Sequence, residues 1–235
     1  KEELISHLED TTYEALFATK DIDEVEDNLN NALIKTLNKV TGFLPKRYSD
    51  DFNRYLIRFD LQNLKLIIRG LSADIPIQKI KKDLTRYGAI YNTPETVKDL
   101  NTLENSLEGT PWYQAYKEGL TNYKKTQKIS DLEHELDKRY MSELEKITTQ
   151  PIQNFVKLYK QMIDQKTISR LGKDHAKPYL FSKDTAKNTP QKTLETHARQ
   201  SLMADPFGIG LYIEFMFRKE METRLIKSVL RSVWK

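Results

Sequence analysis

The stretch Glu26-x-x-Leu29-Asn30-x-x-Leu33-x-x-x-Leu37 returns about a hundred residues later as Glu133-x-x-Leu136-Asp137-x-x-Tyr140-x-x-x-Leu144. Each copy follows a related opening, which is Leu8-Glu9-x-Thr11-x-Tyr13 in the first and Leu107-Glu108-x-Thr110-x-Trp112-Tyr113 in the second. A chain assembled from copies of one helical unit is typical of a scaffold made by stacking those units. The repeat therefore directs the search toward a shape rather than an active site.

A third, weaker copy lies near the C-terminus. It opens as Leu194-Glu195-x-x-Ala198-Arg199-x-x-Leu202 and continues over residues 211–234. All three copies contain an acid followed nine residues later by a base, and these pairs are Asp60 with Arg69, Asp164 with Lys173, and Glu222 with Arg231. We therefore divide the chain into repeat 1 (residues 1–102), repeat 2 (103–173), a loop or linker (174–193) and repeat 3 (194–235).

The composition predicts a mostly helical protein with a substantial core. Hydrophobic residues make up 38% of the 235 residues, whereas glycine and proline number eight each, a profile poor in turn-forming residues. The absence of cysteine excludes disulfides and thiolate metal sites and favours a reducing compartment. No stretch approaches the roughly 20 apolar residues that cross a bilayer, and we expect no secretion leader.

Hydrophobic spacing predicts the positions of the helices. We expect them over residues 3–18, from Asp21 or Asp23 to about residue 40, from Ser49 to about residue 70, at 75–87, from residues 93–95 onward, from Ser130 to about residue 147, and from Pro151. The helix from Ser49 is apolar on nearly every side over residues 56–71, which is typical of a central helix.

Charged residues on that central helix need partners, because an unpaired buried charge is costly. Asp60 and Asn63 share one face, whereas Arg69 points to the opposite side. We therefore expect Asp60 and Arg69 each to contact a neighbouring helix. Extending this to all copies, we interpret seven residues as polar ties between repeats: Asp60, Asn63, Arg69, Asp164, Lys173, Glu222 and Arg231.

The net charge of +4 is unevenly distributed. Acids dominate residues 1–30, whereas the C-terminal segment is basic and offers a candidate partner surface of Arg218, Lys219, Arg224 and Lys227. An acidic end and a basic end suit protein partners at two sites. They do not suit nucleic acid, which favours a basic stripe interleaved with aromatic residues.

Motifs for catalysis and for cofactor binding are missing from the sequence. Gly172-Lys173 lacks the first glycine of a phosphate loop, and Gly208-Ile209-Gly210 lacks the third glycine of a dinucleotide fingerprint. The histidines, which are His7, His134, His175 and His197, form no zinc-binding pair. Without cysteine or a G-x-S-x-G motif, no nucleophile stands out. We expect no catalytic residue, no cofactor and no metal site.

Several of these motifs resemble those of one known family. Asp60-x-x-Asn63-Leu64-Lys65-x-Ile67-Ile68-Arg69 resembles its recurrent D-x-x-N-L-k-x-i-l-R motif, and Lys219-Glu220-x-Glu222-x-Arg224 resembles its closing K-E-x-E-x-R segment. Leu84-x-x-Tyr87-Gly88 fits as well. The family is the central-stalk subunit of rotary vacuolar-type and archaeal-type ATPases, called C in archaea and bacteria and d in eukaryotes. The resemblance covers essentially the whole chain, with departures at Thr167, Lys173 and Leu225.

The resemblance implies an all-α fold of three similar helical units in a pseudo-threefold arrangement that forms a funnel. It implies a non-catalytic rotor subunit that joins the central axle to the membrane rotor ring and transmits torque between ATP turnover and ion transport. The implied partners are the axle subunits and the rotor ring, with no nucleic acid and no direct bilayer span. The implied location is peripheral, on the cytoplasmic face of a membrane.

Two other interpretations remain open from the sequence. One is a helical-repeat adaptor unrelated to ATPases that binds other proteins. The other is a helical nucleic-acid binder, suggested by the basic charge and the 12 tyrosines. Salt-dependent binding to DNA or RNA would favour the binder, whereas co-purification with a rotor ring and an axle would favour the stalk subunit.

Overall fold

The computed structural model describes residues 21–93, 95–147, 150–181, 191–204 and 207–233. These residues form helices and no strand, so the predicted all-α class is confirmed. The predicted helix over 3–18 and the opening at residues 8–13 lie outside the described residues. The helices are α1 (Ile22–Phe43), α2 (Ser49–Leu56), α3 (Arg58–Ser72), α4 (Ile77–Ile80), α5 (Leu100–Ser106), α6 (Tyr113–Thr126), α7 (Ile129–Glu145), α8 (Gln150–Leu171), α9 (Lys173–Ala176), α10 (Gln191–Met203) and α11 (Ile209–Val233).

The chain forms two compact units. One contains residues 1–46 and 212–235, and the other contains residues 47–211. The division into three repeats follows the sequence rather than these units, and it stays a prediction. In the part of the chain that is described, no helix combines the length and the apolar character needed to cross a membrane.

Helix α1 begins where the sequence predicts. The Asp21 side chain accepts a hydrogen bond from the amide of Asp23 at 3.0 Å, which caps the helix. Its buried residues recur near the helical period and are Val25, Leu29, Leu33 and Leu37. In the same unit, the buried face of α11 includes Ile213, Met216 and Leu230.

The predicted central helix from Ser49 is present as two helices, α2 and α3, with one residue between them. That residue, Ile57, still donates its amide to the carbonyl of Asn53 at 3.1 Å, so the interruption is local. The predicted burial is confirmed, because Leu64, Ile67 and Ile68 of α3 are fully buried. Helices α2 and α3 both pack against α7, and α8 packs against α10.

Two of the predicted helices after α3 are wrong or too long. The predicted helix over 75–87 is reduced to α4 and a 3₁₀ turn at Lys81–Asp83, because the backbone beyond it is hydrogen-bonded to a side chain of α3. No helix starts at residues 95–99, and α5 begins only after Asp99, whose side chain accepts from the Thr102 amide at 2.8 Å.

The structure also changes two smaller expectations. Ser130 does not cap α7; Lys128 holds that position, and the Ser130 hydroxyl lies 3.2 Å from that of Tyr179. The predicted loop at 174–193 includes most of α9, a 3₁₀ turn at Lys177–Tyr179 and the first residues of α10.

Helices α6 and α7 approach each other closely at Gly119. A Cβ atom at this position would lie 2.9 Å from both the Cα and the carbonyl oxygen of Leu132 on α7. Backbone atoms of a helix cannot rotate away as a flexible side chain can, so the two helices can pack this closely only because residue 119 is glycine.

We therefore expect Gly119→Ala to destabilise the protein by about 2 kcal/mol, even though alanine favours helix more than glycine does. The matched control is Gly42→Ala in α1, where an added Cβ meets nothing within 4 Å. The control should leave stability unchanged or slightly higher. Urea unfolding of both variants measures the difference, and equal midpoints would show that the close approach is unimportant.

Candidate functional site

Helices α3 and α7 are joined by two ion pairs that lie one helical turn apart. The Nζ of Lys65 lies 2.5 Å from the Oδ1 of Asp137. The guanidinium of Arg69 contacts both carboxylate oxygens of Glu133, at 2.5 Å and 3.0 Å. Residues four apart on a helix share a face, so the two bases of α3 meet the two acids of α7 in register.

The same arrangement recurs between α11 and α1 in the other compact unit. The Nζ of Lys227 lies 2.7 Å from the Oδ1 of Asn30. The guanidinium of Arg231 contacts both oxygens of Glu26, each at 2.6 Å. The acceptors Glu26 and Asn30 are the sequence counterparts of Glu133 and Asp137 in the repeated stretch.

The two basic residues are also counterparts. Lys65 and Arg69 stand five and nine residues after Asp60, and Lys227 and Arg231 stand five and nine residues after Glu222. The acid-and-base pattern of one copy thus contacts the Glu-x-x-x-Asn or Glu-x-x-x-Asp pattern of another. We call each such four-residue contact a double tie: Lys65, Arg69, Glu133 and Asp137 form one, and Lys227, Arg231, Glu26 and Asn30 form the other.

Glu133 is the most buried acid of the first double tie, with a side chain only 2% exposed. It also receives Arg170 of α8, whose Nη1 lies 2.6 Å from Oε2. Burial alone would raise the pKa of Glu133, but Arg69, Lys65 and Arg170 together outweigh it and hold that pKa below its usual value. The hydrogen bond to Glu133 in turn raises the pKa of Arg69.

A second carboxylate, Glu143, links α2 to the last turns of α7. It accepts from Arg54 at 2.6 Å, from Lys146 at 2.5 Å and from Arg139. Burial acts to raise the pKa of Glu143, but the hydrogen bonds from Lys146 and Arg139 lower it below the usual value. The face of α7 toward α2 and α3 therefore carries three acids, each with at least one cation.

Asn63 uses both ends of its amide to hold the chain segment after α4. Its Nδ2 donates to the carbonyl of Thr85 at 2.8 Å, and its Oδ1 accepts from the amide of the same residue at 2.8 Å. Both contacts lie within predicted repeat 1. The geometry therefore corrects the expectation for Asn63, because its polar contacts are within a repeat rather than between repeats.

Asp60 fixes the next part of the same segment. Its Oδ1 accepts from the amide of Ile90 at 2.9 Å, and it is also hydrogen-bonded to the amide of Ala89 and the side chain of Trp112. Burial raises the pKa of Asp60, and these hydrogen bonds only partly offset that effect. Its partners are therefore two backbone amides within predicted repeat 1 and the indole of Trp112, which lies in predicted repeat 2.

The second copy uses its buried acid in the same way. Asp164 is fully buried, and its Oδ1 accepts from the amide of Phe181 at 2.8 Å. The side chain of Lys173 lies outside the described residues. Arg170 of α8 reaches Glu133 of α7, and the acid-and-base spacing does not predict this contact because Arg170 stands six residues after Asp164 rather than nine.

The third copy and the basic C-terminal residues make mostly local contacts. Glu222 pairs with Lys219 at 2.9 Å, one turn away on α11. Arg218 pairs with Glu214 at 2.8 Å, and Arg224 lies 4.0 Å from Glu220. About half of each of the two arginine side chains is exposed. Lys227 belongs to the second double tie, so Arg218 and Arg224 are the more accessible members of the candidate partner surface.

Among the residues that the structure describes, no three side chains of histidine, aspartate or glutamate are grouped so that they could hold a metal ion. The acids on the described face of α7 are occupied by lysine and arginine. This arrangement joins helices α2, α3 and α8 to α7 by ion pairs.

A substitution at Gly88 tests the role of Asp60. The φ of +82° at Gly88 is strained for other residues, and an added Cβ would lie 2.1 Å from the Oδ1 of Asp60. We expect Gly88→Ala to cost about 3 kcal/mol, because Asp60 must move and lose the Ile90 amide. The control Gly109→Ala has a φ of +78° and meets nothing within 4 Å, so it should cost only about 1 kcal/mol. If urea unfolding shows that both variants lose the same free energy of unfolding, the contact with Asp60 is not the cause.

The lowered pKa of Glu133 predicts a pH-dependent contribution to stability. Because its folded-state pKa lies below the unfolded value of about 4.3, the carboxylate stabilises the fold above that value, and this is lost as the pH falls through the folded-state pKa. We expect Glu133→Gln to cost about 2 kcal/mol at pH 7, and the difference from wild type should shrink as the pH falls below 4.

The control for this comparison is Glu108→Gln, which neutralises an exposed carboxylate and should change stability by less than about 0.5 kcal/mol at any pH. Chemical unfolding of the three proteins between pH 7 and pH 3 gives the measurement. A Glu133→Gln deficit that stays constant over this range would show that ionisation of Glu133 does not stabilise the fold.

Comparison with known proteins assigns the chain to a family. The sequence model of the ATP synthase (C/AC39) subunit matches residues 1–191. The C subunit of the A-type ATP synthase of Methanothermobacter thermautotrophicus is 22% identical over an alignment 270 residues long, which covers 88% of this chain and 70% of that protein. The C subunit of the V-type ATP synthase of Deinococcus radiodurans is 23% identical over 252 residues, covering 89% and 71%.

A third relative aligns over a shorter region. The C subunit of the A-type ATP synthase of Methanocaldococcus jannaschii is 29% identical over 165 residues, which cover 62% of this chain and 39% of that protein. Since the family match extends over well more than half of the chain, the protein belongs to the ATP synthase (C/AC39) subunit family.

Proposed function

We propose that this chain is a non-catalytic central-stalk subunit of a rotary ATPase, a socket that joins the central axle to the membrane rotor ring. In this role it transmits torque between ATP turnover and ion transport, and its position is peripheral, on the cytoplasmic face of the membrane. Relatives named as the C subunits of A-type or V-type ATP synthases support membership of such a complex.

The recurrence of the double tie is the observation that carries the proposal. In terms of the predicted repeats, α3 of repeat 1 contacts α7 of repeat 2, and α11 of repeat 3 contacts α1 of repeat 1. Helix α8 of repeat 2 packs against α10 of repeat 3. Each of the two double ties therefore joins the acid-and-base helix of one predicted repeat to the glutamate-bearing helix of another.

The two double ties, from predicted repeat 1 to 2 and from predicted repeat 3 to 1, are of one kind and run head to tail. Head-to-tail interfaces of one kind generate a closed ring when the rotation between neighbours closes. We therefore infer a pseudo-threefold funnel, with Glu195 of α10 in the position that Glu26 and Glu133 hold in the other copies. A closed ring of three helical repeats surrounds an axis, which is the geometry that a rotating shaft requires.

Torque transmission also requires that neighbouring repeats resist sliding. A guanidinium that binds both oxygens of a carboxylate fixes orientation as well as distance, and Arg69 and Arg231 both bind in this way. Glu133 is buried, so loss of Arg69 removes one of its bases, whereas the Arg231–Glu26 pair is more exposed and contributes less. We therefore assign Arg69 and Arg231 to ties between repeats, and Asp60 and Asp164 mainly to holding the segment that follows their own helix.

The proposal predicts an assembly defect when the first double tie is broken. A complex of the ATPase head, the axle and the membrane ring is reconstituted with the wild-type chain or with Lys65→Glu/Arg69→Glu. The wild-type chain should restore both association of the ring with the axle and ATP-driven ion transport. The variant should lower coupled transport at least several-fold, because two acids then face Glu133 and Asp137.

The control is Lys79→Glu/Lys98→Glu, which reverses the same number of charges at exposed positions and should assemble normally. Thermal unfolding identifies a temperature at which all three proteins are folded. The isolated chain should show no ATP turnover. A complex that couples fully without this chain, or steady ATP hydrolysis by the chain alone, would refute the proposed function.

A further inference from the structure

An apolar groove of about 410 Å³ lies between the end of α7 and the first half of α8. Its apolar lining is Leu144, Ile147, Val156 and Phe181. The first three of these residues are buried, and Phe181 is partly exposed. The groove lies at the C-terminal end of α7, about two turns beyond Asp137, and neither Glu133 nor Asp137 lines it.

One wall of the groove follows two turns of α8. Its lining residues there are Gln153, Val156, Lys157 and Lys160, which stand at i, i+3, i+4 and i+7 and therefore share one face. Two turns of helix span about 10 Å at 1.5 Å per residue. The wall thus has the length of a short helical segment lying alongside it.

The rim of the groove carries an excess of positive charge. Lys157 is exposed, and it makes no ion pair within the described residues. Lys160 pairs with Glu145, which also lines the groove and is itself about half exposed. One lysine is therefore available to an incoming carboxylate, and the second is shared with an exposed acid that water can solvate.

We propose that this groove docks a short amphipathic helix of a partner protein, with its apolar side chains on the floor and its acidic side chains facing Lys157 and Lys160. A hydrophobic groove is the usual receptor for the apolar face of such a helix. The basic rim selects an acidic flank by charge complementarity. A groove open along α8 suits a helix better than an acyl chain, which favours an enclosed cavity.

The inference is independent of the proposed function, since it uses none of the double-tie residues and requires neither a rotor ring nor an axle. It can therefore fail while the proposed function stands, and the reverse also holds. It adds a contact point for one further protein segment on the larger compact unit, residues 47–211.

A fluorescein-labelled synthetic peptide of 14 residues tests the proposal by fluorescence anisotropy. The acidic probe carries leucines at i, i+4 and i+7 with glutamates on both flanks, and the basic probe replaces those glutamates by lysines. Wild-type protein should bind the acidic probe at least about tenfold more tightly than the basic one. Lys157→Glu should weaken binding of the acidic probe about tenfold or more and should tighten binding of the basic probe. Each tenfold change in Kd corresponds to about 1.4 kcal/mol.

Lys79→Glu provides the matched control, because Lys79 is exposed on α4 and does not line the groove. It should bind both probes like wild type. Hydrogen exchange should show protection over residues 144–160 only with the acidic probe. Equal binding of the two probes, or equal losses in Lys157→Glu and Lys79→Glu, would overturn the proposal.

Two other occupants would also overturn it. If Lys157→Glu abolishes a concentration-dependent dimer in light scattering, the groove is an interface between copies of this chain. If Lys157→Glu abolishes binding to phosphatidylglycerol vesicles while the acidic peptide does not bind, the groove takes a lipid. Thermal unfolding of Lys157→Glu should match wild type, because the replaced side chain is exposed.

Discussion

Burial of the Glu133 carboxylate is the constraint on which the arrangement of α3, α7 and α8 depends. A carboxylate that is 2% exposed is tolerated only where cations and hydrogen-bond donors replace water. Arg69 supplies them from α3, and Arg170 supplies them from α8. Because these bases arrive from two different helices, satisfying one acid on α7 aligns both neighbours, and the hydrophobic core then packs around a fixed register.

The spacing of polar residues on α3 separates two tasks by helical geometry. At about 100° per residue, Asn63 lies about 60° from Asp60, whereas Lys65 and Arg69 lie about 140° and 180° away. Asp60 and Asn63 therefore hold the chain segment after α4, through the backbone of Ile90 and Thr85. Lys65 and Arg69 face α7 instead. One short motif therefore holds the segment after α4 on one side and binds the neighbouring helix on the other.

Regular local patterns were predictable from the sequence, whereas long-range partners were not. The start and the buried stripe of α1, the burial of α3 and the all-α class follow from spacing and capping. The helix expected to reach residue 87 is shorter because the Asn63 side chain is hydrogen-bonded to the carbonyl and the amide of Thr85. Local helix propensity gives no information about such a contact. The contacts of Arg170 with Glu133 and of Arg54 with Glu143 were missed because each joins two helices, and spacing within one element carries no information about such partners.

The contacts of Arg69 and Arg231 are asymmetric in exposure, and this decides what the acid and the base contribute. Glu133 is 2% exposed where Arg69 is 51% exposed, and Glu26 is 16% exposed where Arg231 is 66% exposed. Long basic side chains extend over the interface and keep their charged ends near water. Loss of a base leaves a buried charge, whereas loss of the acid leaves cations that water solvates. The acids of α7 therefore impose the stricter requirement, and the bases can readjust when neighbouring helices shift.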